Sequence, residues 1–195
     1  MSQIFLLGIS HRTASIELRE RLDFSEQELP KATTALLKRP SVNAVVVLST
    51  CNRSELYVHC TNPKDAQRDL FDFLCEFKEI SPDELQPIFY ALVGTEAVRH
   101  LFRVSAGLDS LVVGEPQIFG QVKQAFAAAE KLHATNSVLN RLFNLSFVAG
   151  KRVRSETELG EGAVSISYAA VALARKIFGK LEKLSVLLIL SLIHI

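Results

Sequence analysis

Two short apolar runs near the N-terminus place the strongest constraint on how this chain folds. Residues 3–9 (QIFLLGI) and residues 42–49 (VNAVVVLS) are rich in aliphatic and β-branched side chains. Apolar runs of this length without polar alternation are typical of strands that are buried on both faces. We therefore expect these two segments to be central strands of a β-sheet.

The segments around these runs predict the remaining elements of a βαββαβ order. Ser25 and Glu28 form an S-x-x-E capping box, which opens an amphipathic helix between the first two strands. Residues 55–59 alternate as a third strand, so a short connection carries residues 50–54. Further elements are a helix from Asn62-Pro63, a helical turn at residues 81–84 and a strand at residues 88–93. This order predicts an α+β fold with a ferredoxin-like sheet.

The chain after Thr95 has a helical pattern throughout, which predicts a helical subdomain behind the sheet. Thr95 is a candidate N-cap and Gly107 a candidate C′ residue of its first helix. Two glycines within residues 158–162 suggest a domain boundary, with a first domain of residues 1–158 and a second of residues 159–195. The other predicted helices cover residues 116–130, 137–154 and 164–178.

Charge and cysteine content narrow the class of protein. The 22 basic and 21 acidic residues nearly cancel, so charge argues neither for nor against an RNA partner. Three cysteines without C-x-x-C spacing disfavour a disulfide framework and a metal site, and they fit a reducing cytoplasm. The N-terminus shows no signal-peptide pattern, and the apolar C-terminal run is shorter than the about 20 residues of a membrane-spanning helix. We expect a cytoplasmic protein with no metal ion and no membrane contact.

Cys51 is the strongest candidate for a catalytic residue. It follows the second predicted strand, and loops at strand ends present side chains to clefts. The charge of Arg53 would favour its thiolate. On local features alone a structural cysteine is the more common alternative, because free cysteine usually packs as a small apolar side chain.

Two histidines are candidates for proton transfer, since imidazole titrates near neutral pH. His100 lies on the helix after Thr95, and His11 follows the first strand, near Cys51 if the strands adjoin. A structural histidine and a turn residue are the respective alternatives. A basic cluster at residues 151–154 offers a phosphate contact, although a solvated helix face is the simpler interpretation.

Four motifs resemble, in order and spacing, the signatures of the glutamyl-tRNA reductase family. The resemblance spans about residues 3–189, and the third motif is long and unusual. The motifs are residues 8–14 (GISHRTA), 49–53 (STCNR), 107–121 (GLDSLVVGEPQIFGQ) and 162–167 (GAVSIS).

This resemblance implies an oxidoreductase of tetrapyrrole (porphyrin) biosynthesis, which reduces glutamyl-tRNA with NADPH to glutamate-1-semialdehyde. In the family, the cysteine that matches Cys51 attacks the aminoacyl ester. The resulting thioester is a better hydride acceptor than an ester. The full-length enzyme is implied to be a homodimer, with the downstream glutamate-1-semialdehyde aminomutase as an implied partner.

The family's site residues carry over by position. Cys51 and His100 are the catalytic pair, and we hypothesise that Arg53 binds the side-chain carboxylate of the glutamyl group in a bidentate manner. The implied substrate-binding residues are Thr50, Asn52, Arg53, Ser110, Glu115, Pro116, Gln117 and Gln121.

The sequence departs from the family after the predicted strand at residues 186–189. There the family has a glycine-rich turn for the NADPH pyrophosphate, whereas this chain continues as Leu190–Ile195 without G-x-G-x-x-G. We expect residues 159–195 to be the first helix and strand of an incomplete Rossmann-like NADPH-binding domain, in a truncated chain without the dimerisation domain, whose last residues are non-native. Such a chain would bind no NADPH and would stop at the acyl-enzyme or act as an esterase.

Two other functions remain open at this stage. A non-catalytic RNA-binding module with a structural Cys51 fits a ferredoxin-like sheet, although the strands lack the aromatic pair of an RRM. A thiol redox protein lacks a resolving cysteine at close spacing.

Overall fold

The computed structural model describes residues 3–157, 159, 166–181 and 185. Every element except α1 corresponds to a segment that the sequence predicts. The elements are β1 (Gln3–Ser10), α1 (Ile16–Leu22), α2 (Leu29–Leu37), β2 (Val42–Thr50), β3 (Arg53–Cys60), α3 (Pro63–Phe77), α4 (Pro82–Leu85), β4 (Tyr90–Val93), α5 (Thr95–Ser105), α6 (Gln117–Lys131), α7 (Ser137–Glu156) and α8 (Ile166–Phe178).

The four strands form one antiparallel sheet in the order β2-β3-β1-β4. This order confirms the predicted ferredoxin-like topology, in which the first and third strands lie side by side at the centre. The register of β1 against β3 pairs Gln3 with Cys60 at one end and Ser10 with Arg53 at the other. The end of β1 therefore lies beside the β2–β3 turn, and the candidate site lies at this end of the sheet.

Helices cover both faces of the sheet, as the continuous apolar runs predict. The crossover helices α2 and α3 pack against β1, β2 and β3 on one face, and α5, α6 and α7 pack together on the other. Seven of the eight β1 residues are buried as a result. The outer edge of β2 is partly closed, since Val45 N–H donates to the Ala134 carbonyl at 2.8 Å.

Side chains cap the starts of four helices, α1, α3, α4 and α7, whereas the starts of α2 and α5 differ from the sequence prediction. Thr95 is the first residue of α5 and not its N-cap, which is Gly94 without a side-chain hydrogen bond. Ser25 N–H does donate to Glu28 Oε2 at 2.9 Å, but this pair closes a turn, and α2 begins only at Leu29, which Pro30 follows. Ser81 forms the full capping box of α4 with Glu84. Helix α1 escapes prediction because it is short and buries only Leu22.

The chain divides into two compact units, Met1–Ala163 and Val164–Ile195. In the second unit α8 is described, and it ends at Phe178, directly before Gly179, whose φ is +71°. The predicted strand at residues 186–189 lies outside the described residues. None of the helices described is both long and apolar enough to cross a membrane.

Two helical glycines give a matched test of the packing around α7. A Cβ on Gly150 would lie 2.8 Å from the Ser105 carbonyl oxygen and 2.9 Å from the Phe119 ring, whereas a Cβ on Gly120 meets nothing within 4 Å. We expect Gly150→Ala to lower the free energy of unfolding by about 1–3 kcal/mol, because backbone must move. Gly120→Ala should raise it by about 0.5–1 kcal/mol through helix propensity. Urea unfolding measures both, and equal effects would contradict close α5–α7 packing.

Candidate active site

Cys51 lies at the tip of the two-residue connection between β2 and β3, and it is exposed. The flanking Thr50 organises this turn through its side chain. Thr50 Oγ1 accepts hydrogen bonds from the N–H groups of Asn52 and Arg53, each at 3.2 Å. The strand end thus presents the thiol on a turn whose backbone is hydrogen-bonded.

Two neighbouring segments hold the same turn from outside the hairpin. The His11 N–H donates to the Asn52 carbonyl at 2.8 Å. Arg19, on α1, donates from Nη1 to the Cys51 carbonyl at 2.8 Å and to Asn52 Oδ1 at 3.1 Å. The structure therefore places His11 at the same end of the sheet as Cys51.

A buried ion pair begins directly after this turn. Arg53, with 1% of its side chain exposed, donates from Nη1 to Glu55 Oε1 at 2.7 Å. Its Nη2 donates to the Asp109 carbonyl at 2.6 Å and to Asp109 Oδ2 at 3.1 Å. One guanidinium therefore joins β3 to the loop that follows α5.

Glu55 collects hydrogen bonds from three further side chains. His100 Nε2 lies 2.7 Å from Glu55 Oε1, the Tyr57 hydroxyl donates to Oε2 at 2.6 Å, and the Tyr90 hydroxyl donates to Oε1. Burial alone raises the pKa of Glu55, but the Arg53 charge and the His100 and Tyr57 hydrogen bonds outweigh it and lower that pKa to about 2. Glu55 is thus a carboxylate throughout the physiological range.

The loop of residues 107–116 forms the other wall of the site. Gly107 is its first residue, and Gly114 lies two residues before its end; their φ angles are +76° and +86°. Gly114 N–H donates to the Gly107 carbonyl at 2.9 Å, which brings the two glycines together. Ser110 is 6% exposed, and its Oγ has no hydrogen-bond partner among the described residues. Arg154, which lies on α7, donates from Nη2 to the Glu115 carbonyl at 2.9 Å.

The surroundings of Cys51 raise the pKa of its thiol. Desolvation raises the pKa of Cys51 although the residue as a whole is exposed, and the negative charge of Glu115 raises it further. The cation with the largest opposing effect is Arg19. The sequence suggested Arg53 for this role, but the structure pairs its charge with Glu55 and Asp109.

The comparisons with known proteins agree on one family. Residues 7–157 match the family model described as the N-terminal domain of glutamyl-tRNAGlu reductase. The solved glutamyl-tRNA reductase from Methanopyrus kandleri is 35% identical in sequence and superposes with a TM-score of 0.72. The chain belongs to the glutamyl-tRNA reductase family. The match covers 90% of this chain and 40% of that protein, so the chain spans less than half the length of this relative.

The first three reductase-family motifs converge on one end of the sheet, whereas most of the fourth, residues 162–167, lies outside the described residues. The structure brings together the STCNR turn, the His11 segment, His100 and the loop with Ser110 and Glu115. Pro116 and Gln117 start α6 beside this loop. Within the described residues, no hydrogen bond joins Gln117 or Gln121 to the buried charges. The same part of the chain has no three His, Cys, Asp or Glu side chains placed to hold a metal ion.

Arg53 occupies a different position from the one expected of a direct partner of the substrate. Its guanidinium is buried beneath the turn and is already bonded to two protein carboxylates. Binding of a substrate carboxylate by Arg53 stays a prediction, and it requires at least one of these ion pairs to open.

Several residues of this reductase-family site were not identified from the sequence. Glu55 and Tyr57 share one face of β3 with Arg53, because side chains alternate along a strand. That period-two series of polar groups in a strand was the available signal. Asp109 lies within the third motif, residues 107–121, but its role as a partner of Arg53 was not predicted, and Arg19 had no signal at all, since these contacts join segments 32 or more residues apart.

Acid stability tests the buried charge cluster. The folded pKa of Glu55 of about 2 lies below the ordinary value of 4.5, so its contribution is present above pH 4.5 and is lost as the pH falls toward 2. We expect Glu55→Gln to cost about 3 kcal/mol at pH 7, because Arg53 loses a buried partner, and to flatten the loss of stability in acid. Urea unfolding between pH 7 and pH 2 measures both.

Glu96→Gln is the matched control for this substitution. Glu96 is 61% exposed and pairs with Arg99 at 3.5 Å on the surface of α5. Its loss should change the unfolding free energy by less than about 1 kcal/mol. Equal effects of the two substitutions would show that the Glu55 cluster does not support the fold.

Proposed function

We propose that this chain binds glutamyl-tRNA and forms a thioester between Cys51 and the glutamyl group, as the substrate-binding half of a glutamyl-tRNA reductase. The observation that carries the proposal is the exposed thiol on a turn that two neighbouring segments hold. A structural cysteine would be expected in the core, where Cys60 is in fact buried. The position of Cys51 instead suits attack on a bound ester.

The proposed step is an acyl transfer from oxygen to sulfur. The Cys51 thiol loses its proton, and the thiolate attacks the ester carbonyl carbon of glutamyl-tRNA. A carbon–sulfur bond forms and the bond from that carbon to the ribose oxygen breaks. The ribose oxygen takes up a proton and leaves as the hydroxyl of free tRNA.

His100 is proposed as the residue that handles the proton of the leaving oxygen. Its Nε2 lies 2.7 Å from the carboxylate of Glu55, and this contact orients the imidazole ring. His11 is the alternative, and burial with the charges of Arg53 and Arg12 lowers its pKa. The lowered pKa of His11 suits removal of a proton from the Cys51 thiol.

The proposed substrate contacts follow from chemical complementarity. Ser110 Oγ is a buried group with no partner among the described residues, so it is free to bind the glutamyl group. The Glu115 carboxylate suits the positively charged α-ammonium of an aminoacyl ester. Neutralisation of Glu115 in this way would also lower the pKa of Cys51, because the Glu115 charge raises it.

Exposed arginines around the site suit an RNA partner. Arg12, Arg99 and Arg103 have 57%, 67% and 49% of their side chains exposed. Phosphate contacts by such groups supply most of the sequence-independent affinity for nucleic acids. Local charge therefore supports a tRNA partner although the net charge of the chain is only +1.

The residues of this chain do not fit NADPH, which the family resemblance implies for the full-length enzyme. Its 195 residues contain no G-x-G-x-x-G, the motif that brings backbone N–H groups close to a pyrophosphate. NADPH would supply the hydride that turns the thioester into an aldehyde. We therefore propose that the chain of 195 residues stops at the thioester, which water hydrolyses slowly.

The wider roles of the full-length enzyme are proposals of the same kind. They are porphyrin biosynthesis in the cytoplasm, homodimer formation and contact with the glutamate-1-semialdehyde aminomutase. Family membership supports the biosynthetic role.

Trapping the acyl-enzyme tests the role of Cys51. After incubation with glutamyl-tRNA, denaturing mass spectrometry should show one added glutamyl group on the wild type and none on Cys51→Ser. Cys75→Ser is the matched control, because Cys75 is a half-buried cysteine on α3 outside the site, and it should be acylated like the wild type. An RNA-binding module would bind tRNA without an adduct, and a thiol redox protein would show oxidation. Either result overturns the proposal.

The fate of the thioester tests the second half of the proposal. With glutamyl-tRNA and NADPH together, the chain should release free glutamate slowly and no glutamate-1-semialdehyde, because these residues do not position a hydride donor. Chromatography of labelled products separates the two. Formation of semialdehyde by the 195-residue chain would refute this step, while leaving the adduct on Cys51 intact.

A further inference from the structure

The short helix α1 carries an arginine that contacts both residues of the nucleophile's turn. Arg19 Nη1 donates to the Cys51 carbonyl at 2.8 Å and to Asn52 Oδ1 at 3.1 Å. These acceptors belong to the two residues that connect β2 and β3. One nitrogen of the guanidinium therefore bridges the backbone of Cys51 and the side chain of the next residue.

Helix α1 is itself fixed to the strand that leads to Cys51. At its start the Ser15 side chain caps the helix by accepting from Leu18 N–H. At its end Phe24 N–H donates to Ser49 Oγ at 2.9 Å, and Ser49 Oγ donates to Asp23. Ser49 lies on β2, two residues before Cys51. The helix that carries Arg19 is thus attached to the same hairpin through a second, independent contact.

The guanidinium of Arg19 is held in a partly desolvated position. Its Nε–H is buried and has no hydrogen-bond partner within residues 3–157 or the other described positions. Burial of an unpaired donor is unfavourable for stability. The placement of this arginine therefore suggests a function, and the groups that it binds are those of the turn.

We propose that Arg19 is a positioning residue for the acylation of Cys51: it fixes the orientation of the turn, and its charge favours the thiolate that attacks the ester. The inference rests on the proposed function of Cys51. It gives α1 a role in the site, although Arg19 lies outside all four reductase-family motifs of this sequence.

The charges around Cys51 support the second part of this role. Desolvation, Glu115 and Asp23 all raise the pKa of the thiol, and Arg19 is the strongest influence in the opposite direction. The other nearby arginine, Arg53, is bonded to Glu55 and Asp109. Loss of the Arg19 charge should therefore leave the thiol protonated to a higher pH.

The pH dependence of Cys51 alkylation tests the inference without any substrate. The rate of iodoacetamide labelling is followed by mass spectrometry of the peptide that ends at Arg53, because it holds Cys51 and no other cysteine. Arg19→Gln should move the alkylation profile to higher pH and slow labelling at pH 8 by about threefold to tenfold, since one pKa unit is a tenfold change in thiolate.

Arg19→Lys separates the charge from the geometry. Lysine keeps the positive charge, so the alkylation profile should return most of the way to that of the wild type. Its single ammonium lacks the planar guanidinium, so single-turnover acylation by glutamyl-tRNA should stay about tenfold slower than in the wild type. The rate at saturating glutamyl-tRNA should fall, with little change in the concentration that gives half-saturation.

Two controls make the outcome decisive. Arg21→Gln removes a charge from the same helix, where Arg21 pairs with Glu84 at 2.9 Å, and it should leave the alkylation profile unchanged. Glu115→Gln should shift the alkylation profile to lower pH, because the negative charge that raises the Cys51 pKa is removed. This shift would show that the assay is sensitive to the loss of a single charge. Thermal unfolding identifies any variant that fails to fold.

The inference is overturned if folded Arg19→Gln has the alkylation profile of the wild type, or if Arg19→Lys restores neither rate. If Arg19→Gln does not fold, the alkylation and acylation rates of Arg19→Lys decide. A shifted alkylation profile in a chain that glutamyl-tRNA never acylates would refute the proposed function and still support the electrostatic role of Arg19.

Discussion

The ion pair between Arg53 and Glu55 is the interaction on which the rest of the site depends. Two charges removed from water are unfavourable unless every remaining donor and acceptor is satisfied. Here Asp109, His100, Tyr57 and Tyr90 complete that satisfaction. These partners come from β3, β4, α5 and the loop of residues 107–116, so the cluster fixes four segments relative to one another. It also explains why a strand with charged residues can lie under helices on both faces.

The cluster determines what each arginine can do for Cys51. Arg53 is the first residue of β3, directly after the turn, and its buried guanidinium orients the strand end. Its charge is shared with two carboxylates, which leaves little field for the thiol. Arg19 contacts the turn from α1, a helix outside the sheet, and donates to Cys51 and Asn52. Orientation of the strand and electrostatic support of Cys51, the proposed nucleophile, thus belong to different residues.

The sequence predicts this fold well because its signals are local. The apolar runs of β1 and β2, the capping box of α4 and the Gly107 end of α5 each need only a few neighbouring residues. The site is less predictable because its contacts join distant segments. The motifs identify Cys51 and Ser110 as candidates, and the family resemblance adds His100, but nothing near Arg53 in sequence indicates that Asp109, 56 residues away, binds its guanidinium. Helix α1 was not predicted, because its one buried residue, Leu22, gives no periodic apolar pattern.

Cys51 is balanced between opposing charges that belong to separately anchored segments. Arg19 is fixed through α1 and Ser49, whereas Glu115 is fixed through the loop and Arg154. Glu115 raises the pKa of the thiol and Arg19 lowers it, so the thiolate population depends on how these two segments are placed around one turn. A resting thiol that is mostly protonated reacts slowly with general electrophiles. A ligand whose positive charge neutralises Glu115 would shift the balance toward Arg19, and Cys51, the proposed nucleophile, would then gain reactivity when that ligand is bound.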